Sequence, residues 1–123
     1  MAVNPYQRYK EEAVMTMTQG EMLLLLYDEM LKRLRACELL LEQKDFKNFE
    51  AQADRVAAII RYLRDVLNHD YPISGQLYSM YDFFLVEIGR IKAARKPERI
   101  EELKQFVEEL RDAFREAEKK VDE

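Results

Sequence analysis

The side chains that could carry chemistry in this chain are few. A di-metal carboxylate bundle needs Glu-x-x-His on two helices, whereas the sole histidine, His69, has Val66 three residues before it. His69 reads instead as a helix-end residue facing the helix dipole. The sole cysteine, Cys37, falls on an apolar stripe with no nearby histidine, the setting of a small buried hydrophobe and not of a nucleophile. Gly20, Gly75 and Gly89 are scattered, so no glycine loop exists to cradle a phosphate. The carboxylates of the last helical segment read as a solvated face. The expectation is a protein that is not an enzyme and uses no cofactor or metal.

Composition narrows the partners. A net charge of −4 argues against a nucleic-acid polyanion, whose binding depends on accumulated Lys and Arg. The leucine run Leu23–Leu26 is too short for membrane insertion, and Asp28, Glu29 and Lys32 follow it at once. Arg8, Lys10, Glu11 and Glu12 interrupt the N-terminus before an apolar signal core develops, and one cysteine rules out an internal disulfide. These features lead us to expect a cytoplasmic protein. At 123 residues it is expected to form one domain, over 1–123.

The elements that must position these residues are helical. Leu23, Tyr27, Met30, Leu34, Cys37 and Leu41 recur at spacings of four and three, the stripe of a helix that packs along its length. Phe49, Ala53, Val56, Ile60, Leu63 and Leu67 repeat the pattern, as do Leu77, Tyr81, Phe84, Ile88 and Ile91, and then Ile100, Leu103, Val107, Leu110, Phe114, Ala117 and Val121. Thr18 with Glu21 is a capping box, Asp45 and Ser74 are placed to cap the next helices, and Pro97 suits a first helical turn. Asn4-Pro5 starts a short helix or flap over 1–17, ended by Thr16, Thr18 and Gly20. The spacing predicts helices over 18–43, 45–69, 74–96 and 97–121. Short connections make them an all-α, antiparallel up-down-up-down four-helix bundle with a short N-terminal flap.

One core does not use all the apolar surface. Leu24, Leu25, Leu26, Leu31, Leu39 and Leu40 lie beside the first stripe, and Tyr78, Phe83, Leu85 and Val86 beside the third. Jointly they suggest a groove for an amphipathic helix. The alternative is a homodimer or larger homo-oligomer, or an adaptor using the surplus on another client.

Asn4-Pro5-Tyr6-Gln7-Arg8-Tyr9, Glu21 with Leu24-Leu25-Leu26-Tyr27-Asp28, and Leu77-Tyr78-Ser79-Met80-Tyr81 resemble, in order and spacing, the flagellar secretion chaperone family, from Asn4 to about Ala117. The chain departs from the family pattern at Gly20, often proline there, at Glu29-Met30 after the Leu-Tyr-Asp block, and at Phe114, commonly tryptophan. The resemblance implies a cytoplasmic four-helix bundle that binds the disordered C-terminal segment of flagellin, prevents premature polymerisation and delivers it to an export gate component of the type III apparatus. It directs attention to Tyr6, Tyr9, Leu24, Tyr27, Asp28, Tyr78 and Tyr81 as partner-binding residues, with Asp28 as an orienting hydrogen-bond partner.

Overall fold

The computed structural model describes residues 19–121. The expected flap, with Tyr6 and Tyr9, lies outside them. Four helices make up the described chain: α1 (Gln19–Glu42), α2 (Phe46–Asp65), α3 (Ser74–Ala94) and α4 (Pro97–Val121). Each packs on the next and α4 closes the ring on α1, in the antiparallel order predicted. The pair α3–α4 meets least closely.

Local chemistry explains the helix ends. Lys44 adopts the left-handed conformation (φ 59°), its N–H donates to the Leu41 carbonyl at 3.1 Å, and the Asp45 N–H donates to the Leu40 carbonyl at 2.9 Å. These are the two bonds of a Schellman motif, with lysine where glycine is usual. Asp45 then opens α2, as predicted, by accepting from the Asn48 N–H at 3.3 Å. Arg95 ends α3 the same way (φ 56°), two residues before the expected end, and its N–H donates to the Ile91 carbonyl at 2.9 Å.

Two expectations fail at the connection between α2 and α3. α2 stops at Asp65 and not at 69, because the Asn68 side chain accepts from the Asp70 N–H at 3.0 Å and Pro72 disfavours helix before it. His69 therefore stands in the turn, its ring 6.1 Å from that of Tyr78, and not at a helix end. Ser74 does not cap α3: the preceding residue, Ile73, is itself already helical in backbone, no side chain caps the helix, and Ser74 begins its first turn.

The four stripes meet in one core. Leu31, expected among the surplus, is 1% exposed and belongs to it, while Leu23, expected in the stripe, is only half-buried. The reason is the drift of a straight 3.6-residue helix against a seven-residue repeat. α4 shows where the core stops. Ile100, Leu103 and Val107 are buried, Leu110 and Phe114 only partly, and Ala117 is exposed. The core is filled out to Leu41, Phe49, Ile91 and Ile100 at one end, and at the other, the open end, it gives way to half-buried side chains.

Left-handed backbone at a non-glycine residue costs about 1–2 kcal/mol. Lys44→Gly is therefore expected to raise stability by about 0.5–1 kcal/mol in chemical denaturation after glycine's own entropic cost. Arg95→Gly should gain nothing, because the Arg95 guanidinium sits 4.0 Å over the Phe46 ring and that contact is lost with it. Equal gains at both positions would show the stacking to be worthless.

Candidate functional site: an apolar groove at the open end

Antiparallel order brings the N-termini of α1 and α3 together with the C-termini of α2 and α4. Between them lies a cavity of about 550 Å³. Leu23 and Leu26 of α1, Tyr62 and Val66 of α2, Tyr71 and Ile73 of the turn, Leu77 of α3 and Phe114 of α4 wall it. Tyr71 is 61% exposed and Ile73 54%, so large apolar side chains stand at its rim in water.

Beneath the groove the hydroxyls of Tyr27 and Tyr81 hydrogen-bond to each other, and the Tyr27 ring stacks on Phe114 with centroids 5.7 Å apart. The pair joins α1 to α3 across the bundle, and the stack holds α4 against α1. Burial pushes both phenols above their ordinary range. Burial, with a smaller contribution from the Glu38 charge, pushes the Cys37 thiol up to about 12, which removes it as a nucleophile at neutral pH.

From the cavity the apolar surface continues between α3 and α4. Phe114, Leu110 and Phe106 step down α4 at four-residue spacing, and Leu77, Met80 and Phe83 step down α3. Phe83 (44% exposed) and Phe106 (48%) meet edge to face, centroids 5.7 Å apart and planes at 87°. Below them Glu87 closes the track, 2.9 Å from Arg90 and 3.7 Å from Arg99. The track from Ala117 to Phe106 runs about 16 Å at 1.5 Å per residue, roughly three helical turns.

Polar bonds between side chains cross the other three seams along their length. Arg111 to Asp28 (3.2 Å) and Lys104 to Glu38 (2.6 Å) cross α1–α4, Arg33 to Gln52 (3.0 Å) crosses α1–α2, and Arg64 to Asp82 (2.9 Å) and Lys92 to Asp54 (2.8 Å) cross α2–α3. Among the described residues, Arg99 to Glu87 at its closed end is the one pair across α3–α4.

The expected site residues disperse. Tyr27 and Tyr81, expected to meet a partner directly, are interior: both lie on core stripes, and Tyr81 reaches the groove only as part of its lining. Leu24 is half-buried on α1 and lines no part of the cavity. Asp28 is half exposed and accepts from Arg111 at 3.2 Å. Tyr78 faces α2, its ring 5.6 Å below the Arg64 guanidinium. Phe83 alone of the third-helix surplus joins the track. Tyr62, Tyr71, Ile73 and Phe106 were not singled out as groove residues from the sequence. The available signals were two large apolar residues flanking Pro72 in a turn, and a phenylalanine amid the charged face of α4.

Among the described residues no group of three or more His, Cys, Asp or Glu could hold a metal, and no helix is long and apolar enough to cross a membrane. The family model described as flagellar protein FliS matches residues 2–121. The flagellar secretion chaperone FliS of Bacillus subtilis (strain 168) is 28% identical over 114 residues, covering 93% of this chain and 86% of that protein. A crystal structure titled as a flagellar chaperone from bacteria superposes with a TM-score of 0.80 at 23% identity, covering 94% of this chain and 95% of the other, which speaks for a shared fold.

The buried thiol and phenols fix the sign of an alkaline response. The Cys37 value rises from 9.0 to about 12 on folding, so its contribution is whole below pH 9 and is lost as pH climbs toward 12. Tyr27 and Tyr81, raised likewise, add to the loss at higher pH. Urea melts between pH 7 and 11 should show stability declining above about pH 9. The decline should be shallower in a Cys37→Ala, Tyr27→Phe variant, and an identical slope in that variant would contradict the dry interior.

Proposed function

The chain belongs to the FliS family of flagellar secretion chaperones, and we propose that it works in the cytoplasm by receiving the disordered C-terminal segment of flagellin in its groove. The observation that carries this reading is the apolar track from the open end into the α3–α4 seam, walled by side chains that the bundle's own core leaves half in water.

A free flagellin tail that is apolar at helical spacing would associate with other copies, and an amphipathic helix laid in the track hides that face. The tail orders only on binding. The ordering cost offsets part of the contact energy, so a large covered area coexists with release at a component of the export gate. Gln19 lines the groove, and the segment bearing Tyr6 and Tyr9 precedes it in sequence. We assign those tyrosines to shielding the groove in the empty chaperone. Tyr27 and Tyr81 serve from below by fixing its floor, and Asp28 by fixing the α1–α4 edge.

Self-association into a homodimer through the Phe83–Phe106 patch is the competing use of the same surface. Sedimentation across a concentration series without client distinguishes it: a monomer throughout is expected.

Titration with a synthetic flagellin C-terminal segment, followed by circular dichroism, should give more helix than the sum of the free components. Phe83→Ser with Phe106→Ser should weaken binding about 30-fold or more, the worth of one good hot spot. Stability should change little, since both side chains are already near half exposed. Absence of binding at micromolar concentration, or binding indifferent to both substitutions, would sink the proposal.

A further inference from the structure

The α4 bank of the track carries charge that the fold itself does not use. Phe106 meets Phe83 and Arg99 meets Glu87, so positions 99 and 106 mark the margin of α4 that faces α3. Glu102 and Glu109 lie three or four residues from these, on the same margin and slightly outward, about 10 Å apart along the helix. Both are exposed, and among the described residues neither has a hydrogen bond or an ion pair. Their neighbours are occupied: Glu101 with Lys104, Glu108 with Arg35 and Glu116 with Lys119. The facing bank on α3 differs. Met80, Phe83 and Val86 are apolar and exposed, and Glu87 is held between Arg90 and Arg99. The track is thus apolar along its floor, acidic on its α4 side and balanced in charge on its α3 side. Along the α4 margin the sign reverses only near the mouth, at Lys120 in the last turn.

We propose that the α4 bank selects a docked helix with a cationic edge, carrying lysine or arginine at two positions about seven residues apart beside the apolar stripe that rests on Phe83 and Phe106. This rests on the groove receiving flagellin's C-terminal segment, and it sets which face of that segment turns toward α4. A helix lying on Phe106 withdraws water from the carboxylates beside it, and a carboxylate that loses hydration with no cation in reach is destabilising. Cations at those positions turn the same burial into two charge-assisted contacts, and carboxylates there are repelled. Apolar contact is non-directional and leaves a helix free to roll and slide in the track. Charge on one bank only stops the roll, and the reversal at Lys120 places the cations in the half of the track remote from the mouth.

Calorimetric titration of the full chain tests this with two synthetic flagellin C-terminal segments, one unmodified and one with every Lys and Arg replaced by Gln, at low and at high salt. Two double variants accompany it, Glu102→Gln with Glu109→Gln, and Glu102→Lys with Glu109→Lys. Both should melt with the parent, since the two carboxylates stand in water and hold nothing among the described residues. The Gln variant should bind the unmodified segment about tenfold more weakly at low salt, the scale of two partly exposed ion pairs, and the Lys variant more weakly still. High salt should narrow both differences. The neutralised segment should bind the parent as weakly as the unmodified one binds the Gln variant, with no further loss in either variant. Parent-like affinity of both variants for the unmodified segment, with Phe83→Ser and Phe106→Ser still weakening it, overturns the cationic edge and leaves the groove reading standing. An equal loss for the neutralised segment overturns it too, by assigning the effect to packing. Failure of the parent to bind either segment overturns the chaperone reading and the cationic edge with it.

Discussion

The bond between the Tyr27 and Tyr81 hydroxyls, with Phe114 stacked on Tyr27, sets the level at which the bundle changes from filled interior to open groove. On one side of it Ile100, Leu103 and Val107 of α4 are buried, and on the other Leu110, Phe114 and Ala117 are not wholly so. Two phenols in an apolar interior must satisfy each other or lose the hydration of both groups. Their meeting holds α1 and α3 at a fixed separation across the bundle's diagonal. The cavity above inherits its width from that separation, and the rims supplied by Leu23, Leu77 and Phe114 follow from it.

Cross-helix polar bonds distinguish the seams more than they decide stability. Most of those crossing the helix interfaces are partly exposed, and such pairs contribute about 0–1 kcal/mol each. They nevertheless fringe the α1–α4 and α2–α3 edges with bonded polar groups that an incoming apolar helix would have to break. Between α3 and α4 the corresponding positions hold Met80, Phe83 and Phe106, so on the proposed reading a docked helix there would displace only water. The half-exposed leucines of α1, Leu25 and Leu39, do not line the cavity.

Periodicity carried most of the fold. Four stripes at four-three spacing, one aspartate placed to cap and one proline placed to start a helix located α1, α2, α3 and α4, with starts close to those observed. It failed where side chains compete with the helix for the backbone, at Asn68, and where a serine that could cap lies one residue inside the helix instead. The candidate site was less legible. Tyr27 and Tyr81 stood on core stripes, and stripe membership was the better guide to their place than the resemblance that marked them as partner contacts. Tyr71 and Ile73 wall the groove from a turn, where helical spacing has nothing to say. Phe106 is a single apolar position on a charged face, and its meaning emerges only when Phe83 is seen across from it.

The unequal edges of α4 have a mechanical corollary. Its α1 side is clamped by Lys104 and Arg111, whereas its α3 side is pinned only near its start, by Arg99. A rod fastened along one margin and at one tip is softest in swinging outward at the other tip, and here that tip bears Phe114 and Ala117. The aperture is therefore adjustable in girth while the far end keeps its shape, and under the proposed function that lets one groove admit bulky and slender side chains in turn.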